Sequence, residues 1–264
     1  MKRAAIEGTA AEAAYTSNWF ESSAEIARKS AEVMFETLQK VYEPSCLVDV
    51  GFGSGGWLKA AVRGGVDFVV GVDGPWNKNE FLGCDGHLWH ADLSVGGWSE
   101  DLLREYGPFS LAVCLEVAEH LPESAAAPLV EELSAISDVI CFGAAIPGQG
   151  GTLHVNEQPQ SYWIDLFEQR SFVAFDVFRN ELWGSGVVAP YYIQNTFLYV
   201  RRDVQLAHDL RARGLLSSDD QLLADVVHPA ILAQKVESLR QQSVRCRLKR
   251  LGLKISALCG RRCR

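Results

Sequence analysis

Apolar residues along this chain alternate between two rhythms. Leu47-Val48-Asp49-Val50, Phe68-Val69-Val70-Gly71-Val72, Phe109 to Leu115 and Val139-Ile140-Cys141-Phe142 are short, nearly unbroken apolar runs. Runs of that length, bounded by Gly, Asp or Pro, read as strands covered on both faces. Between them apolar positions recur at helical spacing: Ile26, Val33, Met34, Leu38 and Val41 within 8–41, then Trp57 to Val62, then Leu129, Val130 and Leu133. The segment 87–93 predicts a short third strand ending at Asp92. Trp163 to Phe167 predicts a helix, and 204–240 an amphipathic one. Val173 to Phe178 and Thr196 to Val200 predict two late strands joined by a short connection, an antiparallel pair at one sheet edge.

Strands alternating with helices mean βαβ units and a parallel sheet. The expected fold is therefore α/β: a Rossmann-like, doubly wound, mostly parallel seven-stranded sheet with an antiparallel edge strand, N-terminal helices and a helical C-terminal extension. The division it implies is a helical cap over 1–45, a core over 46–202 and an extension over 203–264.

Composition narrows the function. The chain has 264 residues, 48 % of them hydrophobic, and a formal charge of -8. That balance argues against a general nucleic-acid binder. Residues 240–264 carry nine Lys/Arg and no Asp or Glu, which leaves an acidic body of net -17 with a basic tail. The seven cysteines are odd in number and several sit in strand-like runs, so small apolar core residues in a reducing compartment are expected. No apolar run approaches the roughly 20 residues of a membrane span. The N-terminus has no apolar signal region, so a cytoplasmic location is expected.

The first chemistry-bearing feature is Gly51-Phe52-Gly53-Ser54-Gly55-Gly56, where a strand ends and a helix begins. Glycines permit the tight turn and a close backbone approach, and the helix start offers free N–H groups. Asp49 precedes the loop, Asp73 closes the next strand, and Asp92-Leu93 ends the third. Acids in those places put polar groups along the carboxyl edge of the sheet, where ligands of open α/β sheets bind. The spacing alone does not separate a dinucleotide from another adenosine-bearing ligand.

Val48-Asp49-Val50-Gly51-Phe52-Gly53-Ser54-Gly55 resembles motif I of class I S-adenosylmethionine (SAM)-dependent methyltransferases, and Leu115-Glu116-Val117-Ala118-Glu119-His120-Leu121-Pro122 resembles their motif after strand four. The stretch Ile146-Pro147-Gly148-Gln149-Gly150-Gly151-Thr152-Leu153-His154-Val155-Asn156-Glu157-Gln158 is similar to a bacterial group associated with glycan and secondary-metabolite biosynthesis. The resemblance implies that Asp49, Gly51, Gly53 and Gly55 hold the methionine end of SAM. Asp73 would take the ribose hydroxyls, and Asp92 with the Leu93 N–H the adenine. Trp89 or Trp98 are candidates to pack on that base, and Tyr15 and Phe20 to close over it.

Glu116, Glu119 and His120 stand at i, i+3 and i+4, which on a helix is one face. His154 lies in a glycine-rich loop at the same sheet edge. Two carboxylates and two imidazoles suit a divalent cation such as Mg²⁺ or Mn²⁺. The pattern resembles that of the small-RNA 2′-O-methyltransferases and the ubiquinone-pathway O-methyltransferases. Carried over, Glu116, Glu119, His120 and His154 are candidate ligands. Without a metal, His120 or His154 is a candidate catalytic base.

Tyr162, Trp163, Trp183, Tyr191 and Tyr192, with Asn156, Glu157, Gln158, Gln194 and Asn195, form a candidate acceptor region. Rings, amides and a carboxylate suit a sugar or another polyhydroxylated small molecule. The expected activity is thus metal-assisted O-methylation of a glycan or polyol hydroxyl. Two other readings stay open: an RNA 2′-O-methyltransferase, disfavoured by the acidic body, and a non-catalytic SAM-binding protein. The basic tail is a solvated extension or a contact for an anionic membrane surface. The oligomeric state is left undetermined.

Overall fold

The computed structural model describes residues 17–77, 87–219 and 224–250, with side chains over 24–77, 87–219 and 224–243. Seven strands form one sheet: β1 Cys46–Val50, β2 Phe68–Asp73, β3 His87–His90, β4 Leu111–Leu115, β5 Val139–Gly143, β6 Phe172–Phe175 and β7 Phe197–Arg201. Their order across the sheet is β3-β2-β1-β4-β5-β7-β6. From β3 through β5 every pairing is parallel, and β7 runs antiparallel to both β5 and β6. All five positions of β4 and of β5 are buried, as expected for strands covered on both faces. The chain winds outward from β1 to β3, then restarts at β4 on the other side. The reversal between β1 and β4 opens a crevice at their carboxyl ends.

Two apolar layers sandwich the sheet. Helix α1 (Ser17–Gln39) buries Ala31, Met34, Phe35 and Leu38, spaced as one helical face. Burying one large apolar side chain is worth about 1.5–3 kcal/mol. Helix α2 (Gly56–Arg63) meets α1 through small residues. A Cβ on Gly56 would lie 3.4 Å from the Arg28 backbone, and one on Gly64 only 2.5 Å from the Phe35 ring. The other layer holds α3 (Trp98–Tyr106), α4 (Ala126–Ile136) and α5 (Gln160–Glu168), with Leu102, Leu129, Leu133 and Phe167 fully covered.

Several sequence expectations are corrected in detail. The third strand stops at His90, so Asp92 lies in the following turn. There its carboxylate accepts hydrogen bonds from the Ser94 N–H and hydroxyl. The β6–β7 connection is not short: residues 176–196 include α6 (Arg179–Leu182) and α7 (Pro190–Asn195). Nor is 204–240 one helix. Helix α8 (Gln205–Ala212) ends at Gly214, whose φ is 75°. Ser217 then bridges to Phe175, and α9 (Pro229–Arg250) starts at a proline, which suits a helix start.

The chain divides into two compact units, 1–226 and 227–264. Within the second, α9 is the described element, and residues 251–264 of the basic tail lie outside the described residues. No helix among the described residues is long and apolar enough to cross a membrane.

Candidate active site

The glycine loop leaves β1 and turns back into α2. Its N–H groups are tied to the neighbouring strand end: Gly51 N donates to Val72 O at 2.7 Å, and Gly53 N to the Asp73 carboxylate at 2.9 Å. Gly51 takes a φ of 82°, and a Cβ there would lie 2.4 Å from a methyl of Val117. The loop is therefore pressed directly against the turn that follows β4. Gly55 caps α2 with no side-chain hydrogen bond, which leaves N–H groups of the first turn for another acceptor.

The sequence-predicted acids of this half behave differently from one another. Asp73 also accepts from its own neighbour Gly74 N at 2.7 Å and from Asn77 Nδ2 at 2.7 Å. Asp49 is buried within β1, and its Oδ2 has no hydrogen-bond partner. Burial, with the nearby Asp73 charge adding to it, pushes the Asp49 carboxyl well above its usual range. Asp92 is exposed and Leu93 is buried beside it. Trp98 is buried in the core and Trp89 packs edge-on against Tyr106. Tyr15 and the Phe20 side chain lie outside the described residues.

The second half of the site stands at the ends of β4 and β5. Glu116, Glu119 and His120 do not share a helical face, contrary to the expectation from their spacing. Glu116 leaves β4 in the left-handed region at φ 56°, and Ala118–His120 is a single 3₁₀ turn stopped before Pro122. Convergence comes instead from two chain segments. The carbonyl of Glu119 accepts from the N–H groups of Val155 and Asn156, which locks the 147–158 loop onto this turn. Leu153, at φ 63°, aims His154 back at it. Non-glycine residues in that region are uncommon, and such strain gathers at functional sites.

The ligand atoms of Glu119, His120 and His154 lie within 4.8 Å of one another. Glu119 is fully buried, and its carboxyl makes no well-formed hydrogen bond, with the Glu116 carboxyl and the backbone of Glu119 and Ala145 as its polar neighbours. Its Oε1 faces His154 Nε2 at 4.0 Å, and the His120 and His154 rings meet edge-on with centroids 4.9 Å apart. Burial, reinforced by Glu116, pushes the Glu119 carboxyl far above its ordinary value. Partial burial and the neighbouring His154 push the His120 imidazole down, so it favours the neutral form that binds a proton or a metal. A buried acid without a well-formed hydrogen bond, facing two imidazoles, fits a divalent cation by the chemistry of its donors.

Glu116, the fourth predicted ligand, stands outside that trio. Its two oxygens accept from Gln149 Nε2 at 2.9 Å and Asn195 Nδ2 at 2.8 Å. It also lies against Glu119, close enough for the two carboxyls to share a proton. Burial, with the Glu116 charge adding to it, pushes the Tyr191 phenol up to about 12. Of the other predicted acceptor residues, Trp163 is a core residue against Phe142, and Tyr192 is buried edge-on to Trp57.

Three residues carry roles here that their sequence context did not announce. Gln149 bridges Glu116 and Asn195, accepting from the latter at 3.0 Å. Gly151 lies under the His154 ring: a Cβ there would be 2.1 Å from Nε2. Glu157 bonds His154 from the other side. The His154/Glu157 spacing of three after a glycine run was the available signal.

A doubly wound sheet in the order 3-2-1-4-5-7-6, with its glycine loop at the reversal, is a Rossmann-like fold, which solved methyltransferases share. An O-methyltransferase family protein from Burkholderia thailandensis is similar, with a TM-score of 0.52 and 10% identity over 73% of this chain and 62% of that one. The chain thus spans about three fifths of that protein's length, and at such low identity the likeness is one of fold alone. The methyltransferase domain of a bacterial Hen1 gives a TM-score of 0.48 and 13% identity, covering 66% of this chain and 98% of that one. Magnesium protoporphyrin IX methyltransferase from Synechocystis gives 0.44 and 14%, covering 66% and 83%. No protein-family model and no curated protein matches the sequence.

Proposed function

We propose that this chain is a SAM-dependent O-methyltransferase that uses a divalent cation held by Glu119, His120 and His154, and that its acceptor is a hydroxyl of a sugar or polyhydroxylated small molecule. The observation that carries the reading is the convergence of Glu119, fully buried and without a well-formed hydrogen bond, with the imidazoles of His120 and His154, their ligand atoms all within 4.8 Å.

When bound, SAM supplies an already activated methyl group, and the cation supplies Lewis acidity that makes a hydroxyl a better nucleophile. The chain's own work is binding, alignment and proton handling. Gly51, Gly53 and Gly55 offer backbone that a ligand can approach closely, next to the free first turn of α2. Asp73, at the end of β2, would turn to the ribose hydroxyls, exchanging Asn77 as its partner. Asp92 and the Leu93 N–H, one strand further along, would meet the adenine. Asp49 is buried at the end of β1, just before the loop, and its unpartnered Oδ2 suits the amino end of the methionine moiety.

Gly51 touching Val117 sets the two halves side by side. That contact would bring an acceptor oxygen near Glu119 toward the methyl group of a bound SAM, and such alignment supplies about 7–11 kcal/mol of a barrier. If the cation is absent, His120, neutral and at the rim, is instead the group placed to take the hydroxyl proton. The network of Glu116, Gln149 and Asn195, with Tyr191 nearby, presents amide and phenol groups to a polar acceptor.

Calorimetric titration with SAM, and then transfer of a labelled methyl group to a panel of sugars, polyols and catechols with and without EDTA, test this. SAM binding with EDTA-sensitive transfer is expected. Transfer indifferent to EDTA would remove the cation and leave His120 or His154 as the base. No SAM binding would defeat the whole proposal.

A further inference from the structure

His154 is gripped on three sides, and the grip has a chemical consequence. Its Nδ1 lies 3.0 Å from Glu157 Oε1. The same carboxylate accepts the Gly150 N–H at Oε1, 2.8 Å away, and the Gly148 N–H at Oε2, 2.7 Å away. Both oxygens of this carboxylate already accept backbone N–H groups, so it meets Nδ1 as an acceptor. An acceptor facing Nδ1 demands the proton on that nitrogen. The opposite nitrogen, Nε2, is the one that faces Glu119 at 4.0 Å. Beneath the ring, Gly151 leaves space that no side chain could share: a Cβ would lie 2.1 Å from Nε2 and 2.3 Å from Cε1.

We infer that Glu157 is a positioning residue that fixes His154 in its Nδ1–H tautomer and presents the Nε2 lone pair to the Glu119–His120 cluster. The inference rests on the proposed metal site for its purpose, though not for its geometry. An imidazole free to choose would spend part of its time with a proton on Nε2, aimed at the place a cation needs. A carboxylate behind a ligating imidazole removes that state and raises the ligand's basicity. Glu157 also draws in the N–H groups of Gly148 and Gly150. The residue that orients the ligand is therefore the one that folds the 147–151 loop, so the ligand and the loop are set together.

The test uses the full chain. Nitrogen-15 NMR of the imidazoles, recorded well above the range in which histidine protonates, reads the tautomer of His154 in the metal-free protein. Mn²⁺ titration reads its consequence. The wild type should show Nδ1–H, and Glu157→Ala should lose that preference and bind Mn²⁺ about 10–100-fold more weakly. SAM affinity should be unchanged, and Glu157→Gln, whose amide oxygen still accepts from Nδ1, should recover part of the loss. An Nε2–H tautomer in the wild type, or equal Mn²⁺ affinity in wild type and Glu157→Ala, overturns the inference while leaving the metal reading intact. A wild type that shows Nδ1–H and loses it in Glu157→Ala, yet takes up no Mn²⁺, supports the positioning role and instead removes the metal reading.

Discussion

The two halves of the crevice are built on opposite plans. At the β1–β2 end Asp73 accepts from Gly53 N, Gly74 N and Asn77 Nδ2 and the loop is fixed by backbone bonds, with Asp49 Oδ2 left unpartnered inside β1. At the β4–β5 end the central acid, Glu119, is sealed from solvent with no well-formed hydrogen bond at either oxygen. Its surroundings are well ordered all the same, by the bonds from Val155 N and Asn156 N and by the Glu157 clamp on His154. A buried acid without a well-formed hydrogen bond costs a protein free energy. The first half is thus a loop fixed by its own bonds, and the second a cluster of an acid and two imidazoles whose donor atoms converge, which is the arrangement the proposed cation would complete.

The largest expected effect comes from replacing the acid of the cluster. Glu119→Gln should lower Mn²⁺ affinity by at least about 100-fold, beyond what loss of an outer partner costs. The same change should leave thermal stability of the metal-free protein equal or raised, because a neutral amide replaces a buried acid. Calorimetry and thermal denaturation check the two halves of that claim, and a large loss of stability would mean that Glu119 has a structural partner.

The loop half should respond in the reverse sense. Gly51→Ala places a methyl 2.4 Å from Val117 at a φ of 82°. Overpacking of that kind costs about 1–3 kcal/mol, read by urea denaturation, and SAM affinity should fall with it. Gly151→Ala sharpens the contrast. Its new methyl meets His154 at 2.1 Å, in a surface loop rather than under a strand end. Mn²⁺ affinity should drop about tenfold, the scale of an outer-shell change, with stability within about 0.5 kcal/mol of wild type. If Gly151→Ala weakened SAM binding as much as Mn²⁺ binding, the two halves would not be separable.

The smallest effect is a pH dependence seated in the loop half. Burial, then Asp73, raises the Asp49 carboxyl well above its ordinary value. The folded protein therefore binds a proton there that the unfolded chain has already released. Above that ordinary value, stability falls as pH rises toward the folded-state pKa. Asp49→Asn should flatten this part of the curve, measured as urea midpoints between acid and neutral pH. An unchanged slope would mean that Asp49 ionises normally.

The sheet was legible because β1, β2, β4 and β5 are nearly unbroken apolar runs that stop at Gly, Asp or Glu, a signal that needs no tertiary context. The short helices α6 and α7 were not, since four and six residues cannot display a 3.6-residue rhythm. The 204–240 segment misled for the opposite reason: apolar residues on either side of Gly214 happen to share a period that the chain does not keep. Within the site, Glu119, His120 and His154 were visible as residue types, and their nearness is real. A helical face does not produce it. The turn after β4 is set by Pro122 and a left-handed Glu116, and the His154 loop is docked by backbone bonds to Glu119 that no side-chain pattern announces. The Glu157 clamp was hidden because a lone carboxylate in a polar loop reads as one more acceptor contact.

The central claim is that Glu119, His120 and His154 hold a divalent cation beside a SAM-binding loop. The most direct test is an anomalous difference map from crystals grown with Mn²⁺ and S-adenosylhomocysteine. One peak is expected within bonding distance of all three side chains, with the adenosine ligand on the glycine loop next to it. Nucleoside density without such a peak, at saturating Mn²⁺, would contradict the account.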